Sequence, residues 1–363
     1  MKIEILKKDF EGAIQGAARA VGKNLTLPLL SNILCKVEKN KLTVRATNLT
    51  IGVEYYLPIK TDEEFSVALP TQTLVQSVQA LSSEKIFISY SQGNIIIEAN
   101  KRKVLIKGVP SDEFPTIPKV VGVDQILPIK HFIDGLRSVA FSSAVSDIKP
   151  EIASVYIYPQ GNNLVFVATD SFRLAEKKII FKKIDTFSPL LIPTKNISEI
   201  IKIIENVSGD IRFLTSKNQI AFSTDKFYLT SRVVDGVYPD YQQIIPKEEK
   251  TSVTLLKSDL LDALRVSSIF SDKFGHMTLS VSVSTKKCII TTINEIGENK
   301  AEINAALQGD DIEVHLNIHY LLEALSVVGE DSIHFSFMNS NKPVILKPVG
   351  NTNFLYLIMP MNR

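Results

Sequence analysis

This chain repeats itself at the length of a domain, and that limits its fold more than any other feature. Three blocks, Leu69-Pro70-Thr71, Ile192-Pro193-Thr194 and His315-Leu316-Asn317, each precede an apolar helical pattern, and Thr71, Thr194 and Asn317 follow one another at intervals of 123 residues. Phe114-Pro115 and Tyr238-Pro239 form a further pair, 124 apart. Solenoid repeats run at roughly 20–50 residues, so this period reads as three diverged copies of one domain. The expected domains are 1–120, 121–247 and 248–363. Each copy has two stretches with apolar residues three, four and seven apart, the mark of an amphipathic helix. Phe10, Ile14, Ala17 and Val21 belong to one, and Leu321, Leu325 and Val328 to another. Thr71, Thr194 and Asn317 are expected to cap their helices, since each has a side-chain oxygen for an orphan N–H. Short alternating or apolar runs at 42–46, 86–90, 164–168 and 288–293 lie between them, with turn signals such as Gln92-Gly93-Asn94. Strands that follow one another without a helix favour antiparallel sheets, so the expected class is α+β.

The chain has 41 Lys+Arg against 39 Asp+Glu, a net charge of +2. This excludes a strongly basic arm or an acidic tail but not a local basic surface. The charge is +3 over 1–118, +2 over 119–246 and −3 over 247–363. Lys130 and Arg137, Lys195 and Lys202, Lys257 and Arg265, and Lys8 and Arg19 are spaced seven, seven, eight and eleven apart. Each pair returns to one side of its helix, opposite the apolar face. One such face is ordinarily just solvated; four in a repeated domain weaken that reading.

Catalytic and cofactor motifs are missing. Neither GxGxxG, GxxxxGK[ST] nor GxSxG occurs. His315 and His319 are four apart but lie outside any HExxH, and Asp170-Ser171 reads as a turn at a strand end with no histidine to serve as base. Cys35 and Cys288 are too few for a disulfide framework or a four-ligand zinc site and read as small core hydrophobes. No cofactor, metal or catalytic residue is expected. The start, MKIEILKKDFEG, has no secretory apolar core, and no apolar run approaches the roughly 20 residues that span a bilayer. The expectation is a cytoplasmic protein without membrane contact.

Four segments carry a resemblance. Ala168-Thr169-Asp170-Ser171-Phe172-Arg173-Leu174-Ala175 resembles the ATDGHRLA stretch of bacterial sliding clamps, the β subunits of DNA polymerase III. Residues 231–241, SRVVDGVYPDY, resemble that family's S-(K/R)-L-(I/V)-(D/E)-G-x-(F/Y)-P-D-Y segment. Residues 356–361, YLIMPM, resemble its Y-V-V-M-P-M terminus, and 26–32, TLPLLSN, its TLPILGN. The likeness is collinear over the whole chain. It implies the DNA-clamp fold: three similar domains, each with two helices on antiparallel sheets, and two chains joined head to tail in a six-domain ring. It further implies a processivity factor that encircles duplex DNA without sequence preference and is not an enzyme. The implied partners are a second copy of the chain, the replicative polymerase catalytic subunit, the clamp loader and other proteins with clamp-binding motifs.

By the same resemblance, Lys8, Arg19, Lys23, Lys130, Arg137, Lys195, Lys202, Lys257 and Arg265 would face DNA; Asn24 stands where the family usually has Arg. The partner-peptide groove would be built from Ile152, Thr169, Ser171, Phe172, Arg173, Leu174, Pro239, Gln243 and Ile244. Asn317, Tyr320, Leu357, Ile358, Met359, Pro360 and Met361 would complete it. Ser171-Phe172 replaces the usual Gly-His, and Asn362 a usual Arg. Charge suggests the ring seam: basic Lys101 and Lys103 with Val104 and Ile106 on one edge, and Glu295, Glu298 and Glu302 with Ile269 and Phe270 on the other. Two other readings stay open, an adaptor of three repeated domains that does not bind nucleic acid, and an enzyme whose site carries no motif.

Overall fold

The computed structural model describes residues 2–22 and 27–362. Among them are six α-helices, two for each sequence repeat: α1 (Lys7–Ala18), α2 (Thr71–Gln79), α3 (Ile129–Val139), α4 (Thr194–Ile204), α5 (Lys257–Ile269) and α6 (Ile318–Val327). Every one follows directly on a strand, and the strand pairs are antiparallel. The protein is α+β, as the runs of consecutive strands require.

The strand-to-helix junctions explain why two of the three expected caps are not caps. Only Asn317 acts as one, accepting from the backbone N–H groups of His319 and Tyr320. Thr71 and Thr194 are instead the first helical residues. The Thr71 hydroxyl donates to the Ser31 carbonyl at 2.7 Å, and the Thr194 hydroxyl is buried without a partner. At five helix starts the first N–H is met by the backbone of a neighbouring strand or turn. Lys7 donates to the Glu84 carbonyl, Ile129 to Gly209, Thr194 to Ala153, Lys257 to Asp331 and Ile318 to Gly275, at 2.8–3.2 Å. The sheet ladder continues one residue into each helix and removes an orphan donor that a side chain would otherwise satisfy.

The chain forms two compact units, which divide the middle repeat between them. Unit 1 is Met1–His131, Asp185–Phe187 and Lys195–Val233; unit 2 is Phe132–Ile184, Ser188–Thr194 and Val234–Arg363. In unit 1, strands Phe65–Pro70, Asn32–Glu38, Lys41–Thr47, Ile51–Pro58, Phe227–Arg232, Gln219–Ser223, Asp210–Thr215 and Val123–Pro128 form one sheet in that order. The pairing of Ile51–Pro58 with Phe227–Arg232 joins strands of different repeats. A buried carboxylate pins the connection beside this seam. Glu54 is 4% exposed and accepts from Arg45 Nε and the Tyr56 hydroxyl at 2.7 Å and from Lys119 Nζ at 2.8 Å. Burial works to raise its pKa, but Lys119, Tyr56 and Arg45 together hold it below the usual glutamate value. A second sheet, Ile3–Leu6, Lys85–Ser91, Asn94–Ala99 and Arg102–Lys107, ends in an edge strand. Helices α1 and α2 pack on each other, and α1 buries Phe10, Ala13, Ile14 and Ala17.

Unit 2 repeats the plan. Leu190–Pro193, Ser154–Gln160, Asn163–Thr169, Arg173–Ile180, Phe354–Ile358, Val344–Pro348, Ser332–Phe337, Thr251–Leu256 and Ala305–Gly309 form one sheet in that order. Its seam pairs Arg173–Ile180 with Phe354–Ile358. Gly297–Ile303, Lys287–Asn294, His276–Ser282 and Ile312–Asn317 make a four-stranded sheet, and α5 packs on α6. Gly135 in α3 permits close approach to the sheet, because a Cβ there would stand 2.4 Å from the Phe166 ring. Gly135→Ala is therefore expected to cost about 1–3 kcal/mol by overpacking, read as a lower urea midpoint with an unchanged slope.

Candidate functional site

The turn after strand Asn163–Thr169 holds several of the residues expected to form a groove. Asp170 accepts from the backbone N–H groups of Phe172 and Arg173 at 2.9 and 3.0 Å, and the Thr169 hydroxyl donates to the Arg173 carbonyl at 2.6 Å. Ser171 sits at φ +79°, in the left-handed region that favours glycine. This is the backbone reason for the glycine found at the matching place in the ATDGHRLA stretch. The turn leaves Phe172 63% exposed, while its carbonyl accepts from the Met359 N–H at 2.8 Å. The Met361 N–H donates to the His315 carbonyl, also at 2.8 Å. The terminal segment is thus tied to two other elements by its backbone and keeps its side chains for other interactions.

Strand alternation then divides the expected groove residues between two faces. Leu174 and Leu357 are paired across the seam and join Ile152, Val165, Val167, Leu191, Tyr238 and Tyr241 in one buried cluster, with Met359 packed against it. Arg173 and Ile358 are the next pair along, so they point the other way. Arg173 is held by Asp170 (Nε, 2.9 Å), Glu323 (Nη1) and the Phe141 carbonyl (Nη2, 2.8 Å), under the Tyr320 ring at 4.3 Å. Burial opposes its charge, but Glu323 and Asp170 keep it strongly cationic.

Leu174, Leu357 and Ile358 are at most 1% exposed. They are floor and sheet core rather than a binding surface, which corrects their expected role. Of the other expected groove residues, Ser171, Phe172, Pro239, Gln243 and Ile244 are exposed, and Asn317, Tyr320, Met359, Pro360 and Met361 are half-buried. Ile152, Thr169 and Arg173 are buried.

Three aromatic residues near this site are absent from the expected groove set, although two of them, Tyr238 and Tyr241, lie in the quoted 231–241 run. Tyr238 stacks on Tyr156 at 4.6 Å, and its hydroxyl is buried. The Tyr241 hydroxyl donates to Glu176 at 2.5 Å and lies 2.8 Å from that of Tyr158. Burial, then Glu176 and Tyr158, push Tyr241 far above the ordinary phenol range. Phe274 is 58% exposed, and its carbonyl accepts from Asn317 Nδ2 at 3.0 Å. The VYPDY run and the bond to Asn317 are the only hints of them.

The helix cations are less uniform than their spacing suggests. Lys8, Arg19, Lys130, Arg137, Lys195 and Lys202 are exposed. Lys202 pairs with Glu199 at 3.2 Å and Arg265 with Asp262 at 3.3 Å. Lys257 is half-buried and donates to the Val328 carbonyl after α6. Lys23 lies outside the described residues.

Both expected seam edges are edge strands, but their faces differ from expectation. In Arg102–Lys107 the pleat buries Ile106 at 2% and leaves Leu105 54% exposed, so Ile106 is core and Leu105 is the outward apolar residue. Lys101 sits in the preceding turn at φ +62°, and Lys103 lies 3.7 Å from Glu98. On Gly297–Ile303 the outward row is Glu298, Lys300 and Glu302, so the acidic edge carries a cation. Glu295 precedes the strand. Ile269, Ile293 and Ile296 are 62%, 63% and 78% exposed beside half-buried Phe270.

Both cysteines are buried. Burial pushes the Cys35 thiol to about 12 and Cys288 to about 11, away from reactive thiolates. Among the described residues no group of three His, Cys, Asp or Glu could hold a metal, and no helix is long and apolar enough to cross a membrane.

Comparison with known families decides what this scaffold is. Residues 1–118 match the DNA polymerase III beta subunit N-terminal domain, 126–240 its central domain and 242–362 its C-terminal domain. The chain belongs to the DNA polymerase III β-subunit family. As a member it is a sliding clamp, a DNA polymerase processivity factor and not an enzyme. The Beta sliding clamps of Staphylococcus epidermidis and Staphylococcus aureus are 26% and 25% identical over 373 residues, covering 99% of each chain. The same fold occurs in the beta chain from Streptococcus pneumoniae (TM-score 0.95, 22% identity) and the sliding clamp from Bacillus subtilis (0.94, 23%). Each covers 100% of this chain; it spans 100% and 99% of theirs. The family's three consecutive domains are the repeat seen in the sequence.

Proposed function

We propose that two copies of this clamp join head to tail into a ring that encircles duplex DNA, and that its groove holds the polymerase and other clamp-binding proteins there. The observation that carries this reading is the match to all three family domains in unbroken order. Retention follows from closure rather than tight binding, so modest, partly compensated helix charges suit a ring that slides. Bonds to phosphate position a protein on DNA without reading its sequence. The domains proposed are 1–120, 121–247 and 248–363, and the cellular setting is the cytoplasm with no membrane partner.

The decisive experiment is loading by a cognate clamp loader onto nicked circular DNA, followed by linearisation. The clamp is expected to stay on circles and leave linear DNA; retention on linear DNA would show ordinary binding and overturn the ring.

For the helix faces, replacing Lys130, Arg137, Lys195 and Lys202 together by Ala is expected to weaken duplex association equally across sequences. The plot of log K against log salt should flatten by up to ~0.9 for each phosphate no longer neutralised. An unaltered slope would remove these four residues from the DNA-facing surface.

A further inference from the structure

The groove's surroundings in unit 2 are unevenly charged. Segments 149–152, 169–174, 235–244 and 357–362 hold four carboxylates, Glu151, Asp170, Asp235 and Asp240, and two cations, Lys149 and Arg173. Arg173 gives no open positive charge, because it is buried and engaged by both Asp170 and Glu323. Glu323 remains about half-exposed, so this trio is net negative. Asp235 and Asp240 are exposed, and Asp240 accepts from the neutral amide of Gln243, at 2.7 Å. Glu151 lies beside Gly236, whose added Cβ would stand 3.8 Å from the Glu151 Cβ and 3.7 Å from Leu191 of the buried cluster. Glu151 and Asp235, the neighbour of Gly236, are therefore close in the fold although 84 positions apart in the chain. Apolar surface lies alongside, with Phe172, Val237 and Ile244 63%, 90% and 46% exposed.

We propose, resting on the groove reading above, that this groove selects peptides whose apolar core is flanked by Lys or Arg, and disfavours flanking carboxylates. Solvent-exposed charges act through a screened field, so the preference weakens with salt. Each exposed pair changes affinity by up to about fivefold.

The test uses fluorescence anisotropy with the full chain and one labelled clamp-binding peptide from a replicative polymerase. The peptide is made with Gly-Ser, Lys-Lys or Glu-Glu flanks. At low salt the Lys-flanked peptide is expected to bind about tenfold tighter than the Glu-flanked one, and the gap should close at high salt. Asp235→Asn with Asp240→Asn should narrow the gap between the Lys-flanked and Glu-flanked peptides. Equal affinities, or a preference for Glu flanks, would overturn the charge selection while leaving the groove intact. Failure of all three peptides to bind would overturn the groove reading, and this inference with it.

Discussion

Deleting residues 359–363 is expected to abolish peptide binding while leaving the protein folded and its assembly unchanged. The deletion starts just beyond strand Phe354–Ile358, so the pairing of that strand with Arg173–Ile180 survives. What disappears is the Met359 side chain on the buried cluster, together with Met361 and the two backbone ties to Phe172 and His315. Flexible, polarisable Met suits a site that accepts several peptides. Removing a central anchor of this kind costs on the order of 2–4 kcal/mol, roughly 30- to 1,000-fold in affinity. Anisotropy with a labelled clamp-binding peptide measures it, and sedimentation velocity checks assembly. An unchanged affinity in the truncated protein would remove the groove assignment.

Ile269→Ala with Phe270→Ala is expected to convert the proposed dimer into a folded monomer at micromolar concentration. Isolated ion pairs on an interface rim contribute about 0–1 kcal/mol each, so apolar packing should dominate the seam. The folded geometry changes the expected partners: Val104 and Leu105, rather than Ile106, are available from the basic edge. Phe270 also touches the start of its own edge strand, since a Cβ on Gly297 would lie 3.2 Å from its ring. Ile296→Asp is the companion variant, because Ile296 is 78% exposed and its replacement leaves that internal packing alone. Sedimentation velocity across a dilution series, with circular dichroism to confirm folding, decides the matter. If both variants remain fully dimeric, the seam lies elsewhere. Reversing Lys101 and Lys103 to Glu should weaken the dimer more at low salt than at high salt, as charges that steer encounter do.

The repeat, the six helices and the α+β class were legible because they are local. A period of 3.6 residues and a hairpin turn are written within a dozen positions. The Asp170 turn was legible for the same reason, since its donors and acceptor lie within three residues. Helix caps at Thr71 and Thr194 do not form because the acceptors at these junctions come from residues such as Ser31 and Ala153, 40 and 41 positions away. Chain spacing cannot show that a neighbouring strand has already supplied the partner.

The edge Val104-Leu105-Ile106 shows the limit most plainly. Three consecutive apolar residues contain no alternation, so their sequence fits either pleat phase, and a shift of one residue exchanges inside for outside. The backbone pairing of Asn94–Ala99 with Arg102–Lys107 selects the phase that buries Ile106. The same parity separates Leu174 from Arg173, placing one on the groove floor and the other on the opposite face with Glu323. Sequence alone determined the repeat and the family. Tertiary structure decided which of those residues meet solvent, because burial and charge pairing depend on strands far apart in the chain.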